Sequence, residues 1–102
     1  MKLAGIAVLA IISCGSKDSG PKEHAVAIRA MQFDPAQVDV RVGDTIVWTN
    51  EDIVPHTATA TGTFDSQQLS SKQQWRYTVD TAGDIAYTCT FHPTMHGMIR
   101  AK

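Results

Sequence analysis

From His24 to the carboxyl end, apolar side chains recur at every second position in short runs. Val26, Ile28 and Ala30 alternate with Ala25, Ala27 and Arg29. Val38, Val40 and Val42 alternate with Gln37, Asp39 and Arg41, and Gly43-Asp44 then signals a tight turn. Ile46, Trp48 and Asn50 share a face of the next run, as do Trp75, Tyr77 and Val79, and then Ile85, Tyr87 and Cys89. A period of two broken by frequent turn residues predicts an all-β sandwich or barrel. No helix of convincing length emerges. Residues 52–72 are the least regular stretch and predict loops and short strands. Trp48, Trp75, Tyr77 and Tyr87 read as inward-facing core. Phe33 and Phe64, beside turn residues, read as plugs at the ends of the sandwich.

The first twenty residues break this pattern. In MKLAGIAVLAIISCG a lysine precedes an apolar run, Leu3 to Ile12, that ends in Ser13-Cys14-Gly15. A basic start, a short apolar stretch and small residues describe an export signal. The run falls well short of the ~20 residues that a membrane-spanning helix needs. IISC resembles the bacterial lipobox, in which the cysteine is lipidated and becomes the first mature residue. The expected organisation is a lipoprotein signal over residues 1–13, lipidated Cys14 with a flexible tether over 14–23, and one domain over 24–102. GSKDSGPKE is polar and rich in Gly, Ser and Pro, and such a tether spans roughly 17 Å. The domain is therefore expected outside the cytoplasm, lipid-anchored to a membrane, facing the periplasm or the cell surface.

With 102 residues the chain has room for one domain, and a net charge of -1 offers nothing that nucleic acid would recognise. Two cysteines in an oxidising compartment would ordinarily suggest a disulfide. Lipidation withdraws Cys14, so Cys89 is left as a lone exported thiol open to oxidation. A metal bond would protect it.

The segment CTFHPTMHGM concentrates the chemistry. Cys89 ends a strand on its inward side, His92 follows three positions later, and Met95 three after that. A short loop can bring these three together. His56, after Pro55 in the loop beyond Trp48 and Asn50, is the candidate for a fourth group. Two imidazoles, a thiolate and a weak thioether make the donor set of a blue-copper electron-transfer site. Zinc competes, but methionine is not among its usual donors. A cysteine-protease pairing of Cys89 with His92 fits less well, because it leaves the second histidine without a role.

NEDIVPHT (Asn50–Thr57) and YTCTFHPTMHG (Tyr87–Gly97), with FDPAQVDVRVGDTIVWTN and GTFDS, resemble the cupredoxins of the plastocyanin and amicyanin group across residues 24–102. The resemblance implies a Greek-key β-sandwich with antiparallel and mixed strands, binding one type 1 copper through His56, Cys89, His92 and a methionine. It implies a carrier of single electrons between redox protein partners, not an enzyme, and a monomer. In plastocyanin-like loops the methionine lies five residues past the second histidine, where this chain has Gly97. In amicyanin-like loops proline follows the histidine and methionine comes three residues on, as in His92, Pro93 and Met95. Met95 is thus the expected axial ligand, with Met98 alternating into the last strand. In similar proteins the asparagine at Asn50 ties the two ligand loops together. Val54, Pro55 and Pro93, with Ile53, are expected to form an apolar rim around His92 for partner docking. Glu51-Asp52 reads as a solvated corner, His24 as solvated, and His96 as exposed near the site. The rival reading is a copper storage or delivery protein using the same ligands.

Overall fold

The computed structural model describes residues 20–102. The export signal, Cys14 and the tether up to residue 19 lie outside the described residues. The strands are β1 (Glu23–Arg29), β2 (Gln32–Asp34), β3 (Gln37–Val40), β4 (Thr45–Asn50), β5 (Thr59–Ala60), β6 (Phe64–Asp65), β7 (Gln74–Thr78), β8 (Gly83–Thr88) and β9 (His96–Ala101). They form two sheets, ordered β2-β1-β4-β7 and β3-β9-β8-β5-β6. Two pairs run parallel, β1 with β4 and β3 with β9, and the others antiparallel. The expected all-β sandwich with mixed strands is what forms.

Alternation explains the core. Val26 and Ile28 of β1, Ile46 and Trp48 of β4, and Tyr87 and Ile99 of β8 and β9 are all buried between the sheets. Each large apolar side chain buried this way contributes about 1.5–3 kcal/mol. Trp48 stacks on Trp75 with ring centroids 5.6 Å apart and meets Tyr87 edge-on at 5.4 Å. Phe33 and Phe64, expected at the sandwich ends, belong to this same cluster. Phe33 lies 4.7 Å from Tyr87, and Phe64 lies 4.6 Å from Tyr77.

Three local expectations differ from the structure. Val42 continues the apolar alternation, yet β3 stops at Val40 and Val42 is exposed. The tight turn explains this: Gly43 has φ of 101°, and Asp44 N–H donates to Arg41 O. His24 is not free in solvent, because its Nε2 lies 2.9 Å from an oxygen of buried Asp44. Asp44 also accepts the backbone N–H groups of Lys22 and Arg41. Together these contacts hold its carboxyl down to about 2. Lys22, at the described end of the tether, is thereby fastened beside the start of β4.

Ala30 does not extend β1. Arg29 pairs with Gln32, so Ala30-Met31 forms a two-residue hairpin with φ of 52° and 59°. Such a turn favours Asn-Gly, and left-handed backbone costs about 1–2 kcal/mol per residue with a Cβ. Something outside the hairpin must hold it.

Candidate metal centre

Parallel pairing sets β1 and β4 side by side with Ile28 against Asn50. The chain then leaves the sheet, and Asn50 organises the departure. Its Nδ2 donates to Val54 O and Leu69 O, both at 2.9 Å, and its Oδ1 accepts Asp52 N–H. The last bond is an Asx turn, which the side chain of Asn readily makes. His56 and Leu69 then exchange backbone hydrogen bonds of 3.1 and 2.8 Å. These bonds fix His56 in a fully buried position.

The other loop joins two paired strands. Thr88 pairs with His96, and Cys89 to Met95 lie between them. His92 N–H donates to Cys89 O at 3.2 Å, and Met95 N–H donates to His92 O at 2.9 Å. The loop is two successive turns, with Pro93 second in the latter, where its fixed φ suits the backbone. Met95 returns to the interior, buried in the same core cluster as Cys89, whose N–H donates to Met95 O at 3.4 Å. Met98 sits half-buried on β9, paired with Ala86 and Gln37. His96 is exposed at the start of β9.

Cys89 Sγ is 3.6 Å from Nδ1 of His56 and 3.7 Å from Nδ1 of His92. One donor atom from each of the three residues falls within 4.8 Å of the others. With bonds of ~2.05 Å to nitrogen and ~2.3 Å to sulfur, donors around one ion sit about 3.6 Å apart at tetrahedral angles and about 3.8 Å apart at trigonal ones. The observed separations lie in that interval. Cys89 is a buried free thiol, and Thr57 N–H donates to its sulfur at 3.4 Å. A soft sulfur, two imidazoles and a nearby buried thioether suit copper better than a hard cation.

The expected role of Asn50 needs correcting. Its side-chain bonds stay on the His56 side. Thr57 makes the link between the loops: its N–H reaches Cys89 Sγ, and its Oγ1 accepts Thr90 N–H at 2.9 Å. A second correction concerns Asp52, which is not a solvated corner. One of its oxygens lies 2.8 Å from Nε2 of His56, and the carboxylate also accepts the N–H groups of Ala30 and Met31 at 2.8 and 3.0 Å. Burial opposes its ionisation, but the Met31 amide, the His56 imidazole and the Ala30 amide outweigh it, so its pKa is lowered. An ionised carboxylate only accepts hydrogen bonds. Nε2 is thus placed to donate to Asp52, and Nδ1 is the ring nitrogen on the side of Cys89.

The two imidazoles are unequal. Their ring centroids are 5.1 Å apart, but His56 is buried whereas His92 is only half-buried. Ile53, Val54, Pro55, Phe91 and Pro93 are exposed on the same two loops.

Comparison with known proteins agrees with this donor set. The chain is 28% identical to amicyanin of Paracoccus versutus over 80 residues, covering 72% of this chain and 61% of that protein. The curated relative is thus matched over less than two thirds of its own length. A reduced amicyanin in which one tryptophan is replaced by tyrosine superposes with a TM-score of 0.73 at 27% identity, covering 78% of this chain and 82% of that one. The Cu-containing nitrite reductase of Thermus scotoductus gives 0.74 at 26% identity, and there 89% of this chain covers 25% of the larger protein. Similar structures include a Cu(I) form of an amicyanin variant, with a TM-score of 0.72 at 26% identity. A model of the cupredoxin-like domain matches residues 2–101, and the chain belongs to that family.

Proposed function

We propose that the chain is a single-copper electron carrier, held outside the cytoplasm by lipid on Cys14 and passing one electron at a time between redox protein partners. His56, Cys89 and His92 are the strong ligands, and Met95 is the weak axial one. The observation that carries this reading is the placement of Cys89 Sγ 3.6 and 3.7 Å from two imidazole nitrogens in a buried site. Copper, when bound, supplies reversible one-electron chemistry. The chain's own residues supply the conditions for it. Thr57 N–H stabilises negative charge on Cys89 sulfur, and the two loops are cross-linked so that the donors keep their places. Little movement between oxidation states favours fast transfer.

Half-buried His92 is the proposed exit for the electron, with Val54, Pro55 and Pro93 as its docking rim. A small apolar surface suits brief encounters. The tether supports the same arrangement. Glu23 pairs with Thr45, at the opposite end of β4 from Asn50, so a membrane anchor would leave the metal end free. No helix among the described residues is long and apolar enough to cross a membrane. The carrier reading is supported by the amicyanins, one of which is matched over 82% of its own length.

The test loads the full chain with copper and reduces it repeatedly beside a Cu(I) chelator of moderate strength. An intense red-region absorption that returns on each reoxidation, with metal retained, is the expected result. Loss of one copper per chain on the first reduction would instead make it a storage or delivery protein. A colourless protein that prefers zinc would overturn the copper reading.

A further inference from the structure

We infer that Asp52 is a positioning residue of the metal centre, holding His56 by its Nε2 edge and biasing the bound copper toward Cu(II). This rests on the electron-carrier reading above. Three observations support it. His56 is completely buried, and Asp52 stands 2.8 Å from the ring nitrogen farthest from Cys89. Asp52 is itself anchored, because Asn50 Oδ1 accepts its N–H and its carboxylate accepts both amides of the Ala30-Met31 turn. That turn holds two non-glycine residues in left-handed backbone. Such departures from local rules tend to persist where surrounding structure over-determines them, often beside functional sites.

The physical consequence has two parts. A carboxylate behind a ligating imidazole fixes the ring and its tautomer and makes the opposite nitrogen a better donor. Its negative charge favours the more highly charged oxidation state. A purely structural role would secure the hairpin turn and do neither. Neighbouring Glu51 carries the same charge but is exposed, with Arg29 3.6 Å away, so solvent and its partner screen it.

The experiment compares the full chain with Asp52→Asn and Glu51→Gln, each also made in a background where Ala30→Asn and Met31→Gly suit the turn without help. Redox titration, Cu(II) affinity and chemical denaturation are read. Asp52→Asn is expected to move the Cu(II)/Cu(I) balance about tenfold toward Cu(I), ~59 mV upward, and to weaken Cu(II) binding by about 10–100-fold. Glu51→Gln should leave both unchanged. The relieved turn should restore the stability of Asp52→Asn but not its potential. A potential that recovers with the turn, or that matches Glu51→Gln, overturns the inference while leaving a blue wild type intact. If Asp52→Asn does not fold in either background, nitrogen-15 resonance of the wild-type apoprotein decides. A slowly exchanging Nε2–H on His56 supports the inference, and a proton on Nδ1 refutes it.

Discussion

Gly97 sits opposite Tyr87 in the β8–β9 ladder, one residue past His96. A methyl group there would lie 2.1 Å from Tyr87 Cζ and 2.5 Å from both Cε1 and Oη. These separations are far inside contact distance, so the ring must move. It has little freedom to do so. Tyr87 is 2% exposed, its hydroxyl accepts Trp48 Nε1–H at 3.2 Å, and Phe33 and Trp48 press on it. Overfilling a packed site costs about 1–3 kcal/mol. Disturbing the Trp48 bond adds about 0.5–1.5 kcal/mol. Gly97→Ala should therefore destabilise the fold by about 1.5–4.5 kcal/mol, or ~4–8 °C of melting temperature per kcal/mol in a domain this small. Denaturant unfolding of the apoprotein, followed by tryptophan fluorescence, measures it. Tyr87→Ala removes the obstacle, so the double variant should lose clearly less than the two single losses added together, by at least ~1 kcal/mol. A loss below ~0.5 kcal/mol for Gly97→Ala, or strict additivity in the double variant, would refute the packing argument.

Met95→Leu should leave a coloured protein with a reduction potential raised by at least ~59 mV, a tenfold shift in the one-electron equilibrium, because a weak donor to Cu(II) is lost. Met98→Leu should move it far less, and voltammetry that found the larger shift at position 98 would transfer the axial role to β9. Asp44 contributes stability with a defined pH sign. Its carboxyl is held down to about 2 by the Lys22 amide, then the Arg41 amide and His24, against ~3.9 in an unfolded chain. The contribution is full above pH ~4 and disappears as pH falls toward ~2. Asp44→Asn should flatten the acid limb of a urea-midpoint series between those values, and an unchanged limb would contradict the assignment.

The metal loop was legible because its chemistry is local. Cys89, His92 and Met95 lie in one seven-residue loop, and Pro93 marks the turn that brings Met95 back. Period-two alternation likewise located β7 and β8, where more covered positions alternate with exposed ones, and β4, which is buried at Ile46, Trp48 and Asn50. The failures share a different cause. Val42 keeps the alternation, but the backbone turns first. Ala30-Met31 carries no turn chemistry at all, and its left-handed backbone depends on a carboxylate more than twenty residues away. Nothing in Glu51-Asp52 says which of two adjacent acids faces inward. The one usable signal was Asn50, whose side chain can cap the amide two residues on. An Asx turn started there would have aimed Asp52 back toward β1.

The two histidines are therefore immobilised by different means, and the difference bears on how a carrier would work. His56 is held from behind, by a carboxylate at Nε2 and by backbone bonds to Leu69, in a place closed to solvent. That arrangement spends the whole ring on position and leaves no edge for a partner. His92 is held from within its own loop, where its N–H reaches Cys89 O and its carbonyl takes Met95 N–H. Backbone turns fix it without covering the ring, so it remains half-buried. A rigid ligand normally requires packing on all sides, and an exposed one normally gains freedom to move. Two linked turns stiffened by Pro93 escape that conflict at His92. On the carrier reading, one imidazole keeps the metal and the other conducts, and the sequence order of anchored loop and short turn loop decides which is which.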